Sequence, residues 1–241
     1  MTTSIRAYDL PDRVTSYDAD MELMHPNRHK MAEVIASVLS VSDSLPTRAI
    51  DIGAGTGFLA GALLRVFPAL KIHAIDGAPQ MVELARIRLG SLAARVDFRV
   101  GDFRELGELC RDIEAADAVV SAYALHHLSA DEKLSVVRVA RGLLRPGGWF
   151  LNADVTLAED DELETVVQRI RVGGIVSRNN GRDRRFADDG AVRRFLDDLE
   201  RKENDQPLRP ADDLRILKEA GFSHVSTFWR ETREVVYGAR R

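Results

Sequence analysis

A short apolar run over residues 48–52 ends in three glycines at alternate positions, Gly53, Gly55 and Gly57, and helical periodicity begins at Phe58. No other stretch limits the possible folds so sharply. Alternate glycines let the backbone pass close beneath a ligand, and a helix opening there presents unpaired N–H groups. The spacing is G-x-G-x-G. The dinucleotide pattern G-x-G-x-x-G needs its third glycine at position 58, which is Phe58. Asp51, just ahead of the first glycine, repels a pyrophosphate and suits a ligand bearing an amino group or a sulfonium.

The rest of the chain alternates in the same manner. Residues 71–75 read as a second strand that ends at Asp76, where a carboxylate can accept both hydroxyls of a ribose. Residues 96–100 read as a third strand closing on Gly101, Asp102 and Phe103; an Asp beside an aromatic suits the amino group and ring face of adenine. Residues 116–121 give a fourth strand, followed by Tyr123, His126 and His127, and residues 149–155 a fifth. Helical spacing marks 28–39, 58–66, 79–89, 130–144 and 211–220, with a turn-prone stretch over 42–46. Two closing strands are expected over 222–228 and 231–237, joined at Arg230. Such alternation implies a mainly parallel sheet with helices on both faces.

In this order the pieces resemble the class I S-adenosylmethionine-dependent methyltransferases, over residues 48–155 and again over 214–237. The segment 121–128, ending in His126, His127 and Leu128, is similar to the small-molecule branch rather than to the Asn-Pro-Pro-Tyr type that methylates exocyclic base amines. The resemblance implies an α/β, Rossmann-like, seven-stranded sheet of order 3-2-1-4-5-7-6, its last strand antiparallel, in a single domain over 1–241. It implies S-adenosylmethionine as cofactor and S-adenosylhomocysteine as product. By the same resemblance the cofactor contacts are Tyr17, Asp51, Gly53, Gly55, Gly57, Asp76, Gly77, Met81, Gly101, Asp102, Phe103 and Ser121. Residues 1–27 are expected to form a lid carrying Tyr17 and Asp18, and residues 156–207 a helical insertion at the acceptor site. Within that insertion, residues 173–185 read as a mobile connection whose Arg178, Arg182, Arg184 and Arg185 can attract an anion, diluted by Asp183, Asp188 and Asp189.

Methyl transfer needs a nucleophile held in line and shielded from water, and a hydroxyl acceptor must also lose a proton. His126 is the candidate base, because an imidazole of ordinary pKa is partly unprotonated near neutrality; His127 is expected to be structural. His25 and His29 lack companions at metal spacing, so no metal site is expected. A net charge of −4 offers no general attraction to nucleic acid, and the single Cys110 excludes an intrachain disulfide. The first residues lack an apolar signal core, and no stretch reaches the ~20 apolar residues of a membrane span; a cytoplasmic small-molecule enzyme, with a homodimer open, is the expectation. Two other readings stand beside it: a tRNA-modifying or carboxy-S-adenosylmethionine-related enzyme of the same fold, and a non-catalytic cofactor-binding partner protein. The acceptor and the attacked atom are not legible.

Overall fold

The computed structural model describes residues 3–42 and 44–241; Met1 and Thr2 of the expected lid, and Asp43 of the turn over 42–46, lie outside the described residues. Apolar runs form the strands β1 (Arg48–Ile52), β2 (Lys71–Asp76), β3 (Val96–Val100), β4 (Ala116–Ala122) and β5 (Leu144–Val155). Neighbours among them pair in parallel, while β7 (Glu234–Arg240) pairs antiparallel with both β5 and β6 (His224–Glu231). The sheet order is β3-β2-β1-β4-β5-β7-β6, as the resemblance implied. The central strands are apolar almost throughout because both their faces are covered. Ala49 and Leu151 face one core with Ile35 and Leu63; Ile50 and Phe150 face the other with Val119 and Leu217.

The covering helices follow in chain order: α1 (Thr3–Tyr8), α2 (Pro11–Met24), α3 (Arg28–Ser40), α4 (Phe58–Val66), α5 (Pro79–Leu89), the short α6 (Leu106–Leu109), α7 (Ala130–Leu143), α8 (Asp161–Asn179), α9 (Asp189–Glu203) and α10 (Pro210–Glu219). Their starts are written locally. Ser129 and Glu132 form a reciprocal capping box at α7, and Asp160 and Asp188 cap α8 and α9. Among the described residues no helix is long and apolar enough to cross a membrane.

Three of the boundaries that differ from the sequence expectation have a visible physical reason. The helix expected over 130–144 stops at Leu143, because Leu144 already pairs with Ala116 as the start of β5. The connection expected over 173–185 is helix as far as Asn179: Val172, Ile175 and Asn179 keep a buried helical face, and the Asn179 amide holds the carbonyls of Asp183 and Phe186. The closing hairpin turns at Thr232 and Arg233 rather than at Arg230. Its turn lacks glycine, and Thr232 takes a left-handed φ of 50° instead.

The first two helices position the site. α1 and α2 pack against α5, α8 and α9 and cover the ends of β1 and β2.

Candidate active site

After β1 the chain bonds back to β2: the N–H groups of Gly53 and Ala54 donate to the Ile75 carbonyl at 2.8 and 3.0 Å. Gly53 has φ +68°, and a Cβ there would stand 2.3 Å from the Ala124 side chain, so only glycine fits. Asp76 ends β2 and accepts the N–H of Gly55 at 2.7 Å and of Ala78 at 2.8 Å. Two lone pairs on each oxygen leave it room for further donors. Around these residues lies a cleft of about 480 Å³.

The cleft brings together Tyr17, Gly53, Gly55, Asp76, Gly77 and Met81, with Phe103 opposite. Asp51 lines a smaller adjoining space shared with Tyr17, Gly53 and Gly55. The remaining expected contacts lie elsewhere. Gly57 opens α4 and abuts Ala85 and Leu89 of α5. Gly101 is close-packed against Leu109. Asp102 caps the turn at Phe103 and pairs with Arg104 at 3.2 Å, and Ser121 spends its hydroxyl on the Ile52 carbonyl. Tyr8, in the expected lid, reaches the cleft from α1; sequence reasoning missed Ile5, which reaches it beside Tyr8 and which nothing in its spacing marks. It also expected His127 to be structural, whereas His127 forms part of the cleft wall, with its Nε2 3.1 Å from the Tyr8 hydroxyl.

His126 faces a second cavity, of about 430 Å³, that shares Tyr8, Tyr17 and Tyr123 with the cleft. Its Nδ1 lies 2.6 Å from Asp154 and its Nε2 3.7 Å from Asp205. The cations on this cavity are Arg13, Arg171 and Arg233. Two of the arginines of 178–185 are used otherwise: Arg178 donates to the Leu23 carbonyl and Arg185 pairs with Asp20 at 2.7 Å, tying α2 to the insertion. Among the described residues, His126, His127 and Asp205 also bring one candidate metal-ligating atom each within 4.8 Å of one another. In this structure those side chains serve Asp154, Tyr8 and each other.

Burial sets the charges. Both oxygens of Asp51 lack a hydrogen-bond partner, and burial with Asp76 nearby pushes its carboxyl up to about 8. Burial also raises Asp76, against the two N–H groups it accepts. Burial would lower His126, but Asp154 and Asp205 outweigh it and hold the imidazole above its ordinary value. Asp154 falls to about 2 against its own burial, through His126. His127 is lowered by burial and by the charge of His126, whose ring centroid is 4.0 Å away. The adjacent histidines are thus shifted in opposite directions.

The arrangement suits a cationic ligand with a ribose: an unpaired carboxylate beneath a glycine loop, a second at the neighbouring strand tip, and an aromatic wall at Phe103. A methyltransferase domain model matches residues 49–148. A ubiquinone biosynthesis O-methyltransferase of Xanthomonas campestris pv. campestris is 31% identical over 121 residues, which are 50% of this chain and 48% of that protein. The chain spans about half the length of the curated relatives it matches. Among solved structures, an O-methyltransferase family protein from Burkholderia thailandensis aligns with a TM-score of 0.67 at 20% identity, covering 97% of this chain and 61% of that one. Human N-acetylserotonin methyltransferase, solved with S-adenosylmethionine, aligns with a TM-score of 0.62 at 21% identity, covering 95% and 56%. At these identities the likeness is one of fold.

Proposed function

We propose that the chain is a class I S-adenosylmethionine-dependent methyltransferase, a reading supported by its methyltransferase domain over residues 49–148 and its sheet order, and that it methylates an oxygen or nitrogen of a small molecule. The observation that carries the cofactor is Asp51, a buried carboxylate with two unpartnered oxygens directly ahead of the glycine loop. A pyrophosphate gains nothing from such a group. A ligand with an ammonium and a sulfonium does.

Asp76 is positioned to hold the ribose hydroxyls, and Phe103 and Met81 to flank the adenine. Tyr17 closes the cleft from α2. When bound, the cofactor supplies a methyl carbon already activated by positive sulfur. The chain's own work is then to exclude water and to place the acceptor. Tyr8, Tyr17 and Tyr123 line both the cleft and the second cavity, which supports reading that cavity as the acceptor site. His126 stands there with Asp154 fixing its Nδ1, so its Nε2 is the atom available to take an acceptor proton. The net charge of −4 favours a metabolite over a nucleic acid as acceptor.

Calorimetry tests the reading directly. S-adenosylmethionine and S-adenosylhomocysteine should bind and NAD should not. Tight NAD binding with no response to either sulfur ligand would overturn it.

A further inference from the structure

Arg233 occupies the turn between β6 and β7, directly after Thr232 at φ 50°. A β-branched residue in the left-handed region is strained, and such strain survives only where its surroundings impose it, commonly at ligand sites. Here the turn sends the Arg233 side chain inward, 7% exposed, onto the wall of the second cavity. Its Nε and Nη1 have no hydrogen-bond partner, and the carboxylate of Glu200 is 3.8 Å away. Glu200 is already engaged by Arg171 at 2.5 Å and by Arg193 at 3.4 Å. Nη1 of Arg13 and Nε of Arg171, on the same cavity, also lack hydrogen-bond partners. Burial, with Arg171 adding repulsion, pulls Arg233 down to about 10. A guanidinium is among the most expensive groups to bury without an acceptor. The cavity therefore holds a surplus of donors. Met21, Met24, Val155 and Leu199 add an apolar part to its walls.

Resting on the methyl-transfer reading, we propose that the acceptor is a small molecule with one carboxylate on an apolar body, and that Arg233, supported by Arg171 and Arg13, binds that carboxylate. A carboxylate brings acceptor lone pairs and a charge to Arg233, whose nearest carboxylate, Glu200 at 3.8 Å, is already engaged. Glu200, Glu203 and Asp205 share the walls, so a doubly charged phosphate meets more repulsion than a carboxylate does. The insertion and the last hairpin thus select the acceptor, while the glycine loop selects the cofactor.

The test uses benzoate, its neutral counterpart benzamide, and phenyl phosphate as probes, titrated into the full chain with and without S-adenosylhomocysteine. Benzoate should bind the wild type at least about tenfold more tightly than benzamide or phenyl phosphate. In Arg233→Met that preference should vanish, while the melting temperature of the ligand-free variant holds or rises, because an unpaired buried charge has gone. A fall in melting temperature together with an intact preference would make Arg233 structural and overturn the proposal. So would benzamide binding as tightly as benzoate, preference for phenyl phosphate, or no benzoate binding at all. Binding of S-adenosylhomocysteine is read separately. Its failure would sink the methyl-transfer reading, whereas its success without a carboxylate preference would sink only this inference.

Discussion

Asp51 carries an electrostatic cost beside the cleft, and that cost is measurable. Its folded pKa of about 8 stands well above the ~3.9 of an unfolded Asp. A carboxyl raised on folding contributes stability below its unfolded pKa and loses it as pH climbs through the folded one. Asp51 should therefore destabilise the ligand-free protein progressively between about pH 4 and pH 8. Asp51→Asn should melt higher at pH 8, by on the order of 1–3 kcal/mol, and differ less from wild type at pH 5. The same variant should bind S-adenosylmethionine more weakly; unchanged affinity would show that the sulfonium and ammonium lie elsewhere. His126 makes the complementary case. Two carboxylates keep it protonated beyond the ordinary range, so turnover of a hydroxyl acceptor should rise with pH and level off above the usual imidazole pKa. His126→Asn should lower turnover by ~10²–10⁴-fold with cofactor affinity nearly unmoved, and full turnover in that variant would exclude a base. Chelator dialysis should leave turnover unchanged. Loss restored by one divalent cation would reassign His126, His127 and Asp205. Asp51 and Asp76 were legible because their meaning is local, fixed by distance from a glycine. Arg233 was not, since its partners Arg13 and Arg171 meet it only in space.

The two N-terminal helices combine a weak attachment with a strong one. Asp18 on α2 meets Arg88 at 2.6 Å and Thr56 at 3.1 Å, yet its side chain is 42% exposed, and such pairs contribute only about 0–1 kcal/mol. At the other end Tyr8 and Arg13 both bond the buried Glu203 at 2.8 Å, where removing one partner costs several-fold more. Opening is therefore expected to begin at Asp18, with the Glu203 end acting as the hinge. Met21 and Met24 belong to the main core, so deleting residues 1–27 would damage the fold as well as the cover. A shorter deletion, of residues 1–10, removes Ile5 and Tyr8 but spares α2. It should retain the far-UV spectrum and lose turnover, and S-adenosylhomocysteine should protect the intact cover from protease. Equal cleavage with and without that ligand would mean the segment does not close over it. At this scale most of the fold was readable, because a strand covered on both faces is a continuous apolar run and a helix announces its caps. The misplaced boundaries share a cause. Leu144, Asn179 and Thr232 owe their conformation to partners outside their own segment, so local pattern carried no trace of it.

Across the whole molecule a buried polar chain ties the back of the sheet to the site. Lys133 of α7 meets Asp213 of α10 at 2.7 Å, Asp213 accepts from Tyr237 of β7, and Asn152 of β5 joins Tyr237 to Asp154, the partner of His126. Lys133 and Asp213 are each 2% exposed. Lys133→Met should cost about 3–5 kcal/mol in denaturant unfolding by stranding Asp213, and adding Asp213→Leu should recover part of it. If the single variant is as stable as wild type, Asp213 folds uncharged and the chain is no ion-pair relay. None of these links was visible beforehand; each joins elements that the sequence keeps apart. The placement of β7 has a further consequence, in the time of synthesis. This strand is buried and lies between β5 and β6, so the sheet interior stays open until residues 234–240 have left the ribosome. At roughly 5–20 residues per second, seconds pass after β5 emerges, with its edge bare and open to pairing with another chain. The cofactor loop exists throughout that interval, but Arg233 has not yet been set in place. On the proposed reading, a nascent chain therefore meets its methyl donor before it has any means of choosing what to methylate.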